Sequence, residues 1–155
     1  MDDNLLTPDA IRLDEQASTR EDAVRRCGAV LVEIGAVDPA YVTTMLDRER
    51  SISTYVGEGV AIPHGTSGGR TAIRRDALAV LRFPAGVDWG GDRVTVCVAI
   101  AAQGDGHVDL LAELAEILLD PDRARALREA DHPEQVRRLL SGAAVDLQTR
   151  EEPAA

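Results

Sequence analysis

Three spacings of apolar residues succeed one another along this chain, and each predicts a different element. The run Ala10-Ile11-Arg12-Leu13-Asp14 alternates with a period of two, which predicts a half-buried strand. Thr19, with Asp22 three residues later, resembles a capping box. Ala23, Val24, Cys27, Val30, Leu31 and Ile34 then keep helical spacing until Gly35. Asp38-Pro39 predicts the start of a second helix, because Pro fits the first helical position and Asp can cap it. Its apolar face is Val42, Met45 and Leu46, and it runs into the charged end Asp47-Arg48-Glu49-Arg50.

The middle of the chain changes character. Gly57, Gly59, Gly65, Gly68 and Gly69 surround Val60-Ala61-Ile62, a short apolar run that predicts a buried strand. Two β-rich runs follow, Ala77 to Phe83 and Val94 to Ala101, joined by Pro84-Ala85-Gly86-Val87-Asp88-Trp89-Gly90-Gly91. After Gly104-Asp105-Gly106 the helical period returns, with Leu110, Leu111, Leu114, Ile117 and Leu118 on one face. Asp120-Pro121 ends that helix and starts the next, and Asp131-His132-Pro133-Glu134 opens a last helix carrying Val136, Leu139 and Leu140. The predicted order is β-α-α-β-β-β-α-α-α. Helices bunched at both ends give no regular βαβ alternation, so a doubly wound sheet is not expected. The expected class is α+β, a mixed sheet of about four to five strands with helices on both faces. Residues 1–145 are expected to form one domain, and the small and polar stretch 146–155 a flexible tail.

Charge removes whole classes of function. Seventeen basic residues against 27 acidic ones give a net charge of −10, and every basic residue is Arg. A chain without Lys has neither a Schiff-base amine nor a phosphate-loop lysine. A phosphate backbone repels so acidic a chain, and four aromatics (Tyr41, Tyr55, Phe83 and Trp89) are too few for base stacking. No nucleic acid partner is expected. Charged residues interrupt every apolar run, so no direct membrane insertion is expected either. The acidic opening Met1-Asp2-Asp3-Asn4 has no apolar core of a secretory signal, and the expected location is cytoplasmic. Cys27 and Cys97 stand on apolar stripes with no CxxC pairing, which predicts buried, reduced structural thiols.

The candidate chemistry therefore rests on histidine and arginine. His64, His107 and His132 match no local metal-binding spacing, and neither a metal nor a cofactor is expected. His132, between Asp131 and Pro133, suits a capping or surface role. His64 lies in Gly57-Glu58-Gly59-Val60-Ala61-Ile62-Pro63-His64-Gly65-Thr66, just after a predicted buried strand. Pro63 fixes its own φ and restricts Ile62, so the approach to His64 is stiff. Gly65 can take conformations closed to other residues and is expected to leave open space beside the imidazole. On the residues alone, His64 is equally a functional imidazole and an ordinary strand-end side chain.

The segment Gly57 to Thr66 is similar to the sequence around the phosphorylated histidine of the enzyme IIA component of the bacterial phosphoenolpyruvate-dependent sugar phosphotransferase system, in its mannitol/fructose branch. Met45-Leu46-Asp47-Arg48-Glu49 and Phe83-Pro84-Ala85-Gly86-Val87-Asp88-Trp89 resemble that family too, and the likeness covers residues 10 to 140. His-Gly-Thr and Gly106-His107-Val108-Asp109-Leu110-Leu111 look most like the mannitol type. The resemblance implies a three-layer α/β/α fold. It also implies that His64 accepts a phosphoryl group from the phosphohistidine of the carrier HPr and passes it to a cysteine of an enzyme IIB component. In that family's pattern Arg48 matches the active-site arginine, and His107 matches a second active-site histidine expected to hydrogen-bond the phosphoryl group. The sugar would bind a membrane partner, which agrees with the few aromatics here. The alternative is a nitrogen-type regulatory module whose phosphorylation state controls a partner protein. An interaction domain without transfer chemistry is disfavoured by the joint presence of His64, His107 and Arg48, and a three-histidine metal hydrolase by the lack of ligand spacing.

Overall fold

Two long strands, β4 (Ala77–Asp88) and β5 (Arg93–Ala101), pair antiparallel at the centre of the sheet. Successive residues of a strand point to opposite faces, yet Ala77 to Leu81 and Val96 to Ala101 are buried without a break. Both faces of the sheet are therefore covered. Each fully buried Val, Leu or Ile side chain in these runs contributes about 1.5–3 kcal/mol. The structure is a computed structural model that describes residues 5–103 and 106–140, without the side chains of 106–111 and 113.

β1 (Ile11–Arg12) lies parallel to β4, and β3 (Val60–Ala61) lies parallel to β5. β2 (Tyr55–Gly57) closes the other edge, antiparallel to β3, giving the order β1-β4-β5-β3-β2. Helix α1 (Arg20–Glu33) packs on β4 and β5, and α2 (Ala40–Ser51) packs on α1. α3 (Gly106–Leu119) and α4 (Pro121–Glu129) pack on each other, α3 reaching β2 and α4 reaching β5. A last helix, α5, covers 133–140. Among the described residues no helix is long and apolar enough to cross a membrane.

Local signals in the sequence set several of these elements. The Thr19 hydroxyl accepts the Asp22 N–H at 3.1 Å, so α1 starts where the capping pattern predicts, and Ala23, Val24, Cys27, Val30 and Leu31 are its buried stripe. Asp120 caps α4, accepting the Asp122 N–H at 3.0 Å. Leu114, Ile117 and Leu118 of α3 are buried, whereas the side chains of Leu110 and Leu111 lie outside the described residues. Cys27 and Cys97 are both buried and free; burial first, then the neighbouring Cys27 thiol, pushes the Cys97 thiol well above its ordinary pKa.

Elsewhere the structure departs from the expectation. Among the described residues there are five strands, within the expected four to five; the one absent from the predicted order is Tyr55–Gly57, three half-buried residues ending in Gly that carry no readable alternation. β4 runs on through Pro84-Ala85-Gly86 to Asp88, where a connection was expected. A register shift between Arg82 and Val87 removes the need for a regular ladder there, so Pro and Gly are tolerated. The first strand is two residues, not five. Asp38 does not cap α2; its carboxylate binds the Arg74 guanidinium at 2.6 Å instead. The buried face of α2 is Tyr41, Met45 and Glu49, one turn apart, with Val42 and Leu46 only half-buried. The expected tail, 146–155, lies outside the described residues.

Candidate functional site

The parallel pairing of β3 with β5 resumes beyond Ala61: His64 bridges Ile100, and the Ile100 N–H donates to the Pro63 carbonyl at 2.9 Å. His64 thus stands half-buried at the carboxyl ends of two parallel strands, held by main-chain bonds on a chain that Pro63 has already stiffened. Its Nδ1 lies 2.8 Å from the Ile62 carbonyl oxygen. A carbonyl can only accept, so Nδ1 carries the hydrogen, and in the neutral ring the lone pair is on Nε2.

Tyr41 of α2 stands behind this loop. Its buried hydroxyl accepts the Gly65 N–H at 2.8 Å and donates to the Ile100 carbonyl at 2.8 Å. Burial raises the Tyr41 pKa, against a smaller opposite pull from the Gly65 N–H, so the phenol keeps its proton. Gly65 does not take a left-handed conformation, and the space where its Cβ would stand is filled, while the open space expected beside the imidazole lies elsewhere around the ring. A Cβ on Gly65 would collide with the Thr44 hydroxyl and come within 2.5 Å of the Tyr41 ring, so close packing against α2 is what demands glycine.

Arg48 lies in the last turn of α2, and its guanidinium donates to the Ile52 carbonyl at 2.6 Å. Arg48 and His64 line one groove of about 370 Å³, together with Ser53, Thr54, Ala112 and Ala115. Glu49, the next residue, faces inward. Its carboxylate accepts the Thr54 N–H at 2.8 Å, the Thr54 hydroxyl at 2.6 Å and the Trp89 indole N–H at 3.0 Å. This network fixes the turn from α2 to β2, and with it the carbonyl that receives Arg48. A smaller hollow on another side of His64 is lined by Tyr41, Thr66, Ser67 and Arg70.

The structure therefore brings two of the three expected site residues to one groove. His107 is the second residue of α3, the helix that lends Ala112 and Ala115 to the groove, but its side chain lies outside the described residues. His132 is exposed beside α5, where the Gln135 side chain accepts the N–H groups of Asp131 and His132, in keeping with its expected surface role. Tyr41, Glu49 and Arg70 were missed. The spacing of Tyr41, Met45 and Glu49 would have shown the first two on one face; nothing local marks Arg70. Among the described residues no group of three His, Cys, Asp or Glu converges as a metal site would require.

Comparison with known proteins gives the arrangement a context. The chain is 40% identical over 138 residues to the multiphosphoryl transfer protein of Xanthomonas campestris pv. campestris, covering 88% of this chain but only 16% of that protein. It is 35% identical over 139 residues to the mannitol-specific phosphotransferase enzyme IIA component of Staphylococcus aureus, covering 90% of this chain and 96% of the relative. Among solved structures, the complex of mannitol enzyme IIA with phosphorylated enzyme IIB from Escherichia coli matches with a TM-score of 0.80 and 30% identity, over 89% of this chain and 99% of that one. Residues 4–143 match the family model described as "Phosphoenolpyruvate-dependent sugar phosphotransferase system, EIIA 2". With nearly its whole length accounted for in this way, the chain belongs to the EIIA 2 family of the sugar phosphotransferase system.

Proposed function

We propose that this chain is a cytoplasmic histidine phosphocarrier of mannitol-type sugar uptake, taking a phosphoryl group from phospho-HPr onto His64 and passing it to the cysteine of an enzyme IIB component. The observation that carries the reading is the Nδ1 contact of His64 with the Ile62 carbonyl, in a groove that Arg48 shares. With the proton held at Nδ1, the Nε2 lone pair attacks phosphorus as the N–P bond to the donor's histidine breaks. The ring gains positive charge in that step, and the Ile62 carbonyl dipole favours it. In the second step the IIB thiolate attacks phosphorus, the N–P bond of His64 breaks, and its electron pair returns to Nε2.

Such transfers pass through a loose transition state with charge spread over three equatorial oxygens, so the protein chiefly positions and neutralises. Arg48 supplies the neutralising charge, its planar guanidinium able to fork onto two phosphoryl oxygens. His107 supplies a further donor: β5 carries the chain one residue past Ile100, the partner of His64, and α3 starts five residues later. Ile52, an exposed apolar side chain beside the groove, suits a protein partner better than a small polar substrate. Residues 1–145 act as one unit. The mannitol-type relatives favour transport over the nitrogen-type regulatory alternative.

The test is incubation with phosphoenolpyruvate, enzyme I and HPr, followed by addition of mannitol enzyme IIB. Acid-labile phosphate on this chain that moves on to IIB is the expected result. Failure to accept phosphate, or an acid-stable product, would overturn the reading.

A further inference from the structure

We propose that Tyr41 is a positioning residue for phosphoryl transfer, its hydroxyl forming part of the last rung between β5 and the His64 loop. The inference rests on the phosphocarrier reading above. In a regular parallel ladder, a residue bridged to His64 donates its N–H to the carbonyl of residue 63 and accepts the N–H of residue 65 at its own carbonyl. Ile100 makes the first of these bonds directly, to Pro63 at 2.9 Å. The second runs through the phenol: Gly65 N–H donates to the Tyr41 oxygen, and the Tyr41 O–H donates to the Ile100 carbonyl, each at 2.8 Å. The hydroxyl is thus an inserted spacer, and it sets how far the His64–Gly65 peptide stands from the strand.

That peptide fixes the Cα–Cβ direction of His64. The Ile62 carbonyl then fixes the ring about that direction, so the site of Nε2 depends on both. Helix α2 holds the tyrosine tightly: the Thr44 hydroxyl donates to the Tyr41 carbonyl at 2.8 Å, and Gly65 packs on the ring itself with no room for a methyl group. Loss of the hydroxyl leaves two outcomes. Either Gly65 and Ile100 keep their places with a donor and an acceptor unpaired, or the loop closes onto β5 to make the direct bond. Both displace or loosen the imidazole, and a misplacement of roughly 1 Å can cost about a hundredfold in a step that depends on alignment.

The test compares Tyr41→Phe with wild type and with Val24→Ala, a core variant on α1 that lines neither hollow beside His64. Rapid-quench transfer from phospho-HPr separates the rate constant from the half-saturating concentration. Tyr41→Phe should lower the rate constant about ten- to a hundredfold with little change in half-saturation, whereas Val24→Ala should transfer normally while folded. Imidazole ¹⁵N shifts of His64 in the unphosphorylated protein should keep the Nδ1–H tautomer in wild type and Val24→Ala and lose its dominance in Tyr41→Phe. Should Tyr41→Phe not fold, slow hydrogen exchange of the Gly65 amide in wild type is the deciding measurement. Wild-type transfer and ¹⁵N shifts in Tyr41→Phe, equal slowing in Val24→Ala, or fast exchange at Gly65 would each overturn the proposal. Failure of the wild-type chain to accept phosphate overturns the carrier reading instead, and the ¹⁵N shifts still report whether Tyr41 orients His64.

Discussion

Glu49 offers the sharpest perturbation, because alanine and glutamine at this position separate hydrogen bonding from charge. Its buried carboxylate accepts three bonds: Thr54 N–H and Trp89 indole N–H at Oε2, and the Thr54 hydroxyl at Oε1. Glu49→Ala leaves the two N–H donors without a partner inside the protein. At about 1–3 kcal/mol for each buried unsatisfied donor, the loss is about 2–6 kcal/mol before any cavity is counted. That is a large part of the roughly 5–15 kcal/mol that stabilises an ordinary domain. Glu49→Gln keeps every bond: the amide oxygen takes the place of Oε2, and the amide NH₂ donates to a Thr54 hydroxyl that reverses its role. Charge assistance is lost, but so is the cost of burying a charge, and the net change should stay within about 1.5 kcal/mol. The assay is urea unfolding followed by the fluorescence of Trp89, the chain's single tryptophan and itself a member of the network. A large loss for Ala and a small one for Gln is the expected pair. Equal losses in the two variants, or a loss below about 1 kcal/mol for Ala, would refute the hydrogen-bond argument.

Other outcomes follow from the same geometry. Arg48→Ala should slow transfer about ten- to a thousandfold in rapid-quench assays while leaving the circular dichroism unchanged, and Arg48→Lys should recover only part, lacking the planar fork. His107→Ala should load from phospho-HPr more slowly and release to IIB abnormally in a two-step radiolabel assay, with partial rescue by His107→Gln, which keeps a donor of similar reach. Normal behaviour in both steps would remove His107 from the site. The raised pKa of Tyr41, caused first by burial, fixes the sign of an alkaline effect. Above the ordinary value of 10.0 the unfolded chain gives up the phenol proton while the folded chain keeps it, so stability falls as pH rises past that point. Urea unfolding at increasing alkaline pH should show this slope in wild type and less of it in Tyr41→Phe.

What the sequence made legible is what short-range chemistry determines. The cap and stripe of α1, the Asp120-Pro121 start of α4 and the apolar runs of β4 and β5 all depend on neighbours within a few residues. His64 belongs with these, since its stiff approach and its Ile62 partner lie within two positions. The rest depends on partners far along the chain. Glu49 reads as one more charge in Asp47-Arg48-Glu49-Arg50 until Trp89, 40 residues on, is seen to donate to it. Tyr41 reads as an ordinary helix residue until the loop at Gly65 and the strand at Ile100, 24 and 59 residues away, converge on its hydroxyl. Gly65 was rightly singled out, but for a conformational freedom it does not use; its packing against Thr44 and Tyr41 is a tertiary fact. Pro84 and Gly86 ended the predicted strand because both break regular ladders, whereas β4 continues past them by shifting register.

The central claim is that one imidazole, His64, carries the phosphoryl group. Intact-mass measurement of the wild-type chain and of His64→Ala, each after incubation with phosphoenolpyruvate, enzyme I and HPr, tests it most directly. The account predicts a single acid-labile phosphoryl adduct on wild type and none on His64→Ala, with both proteins folded. An adduct of the same stoichiometry on His64→Ala would contradict it.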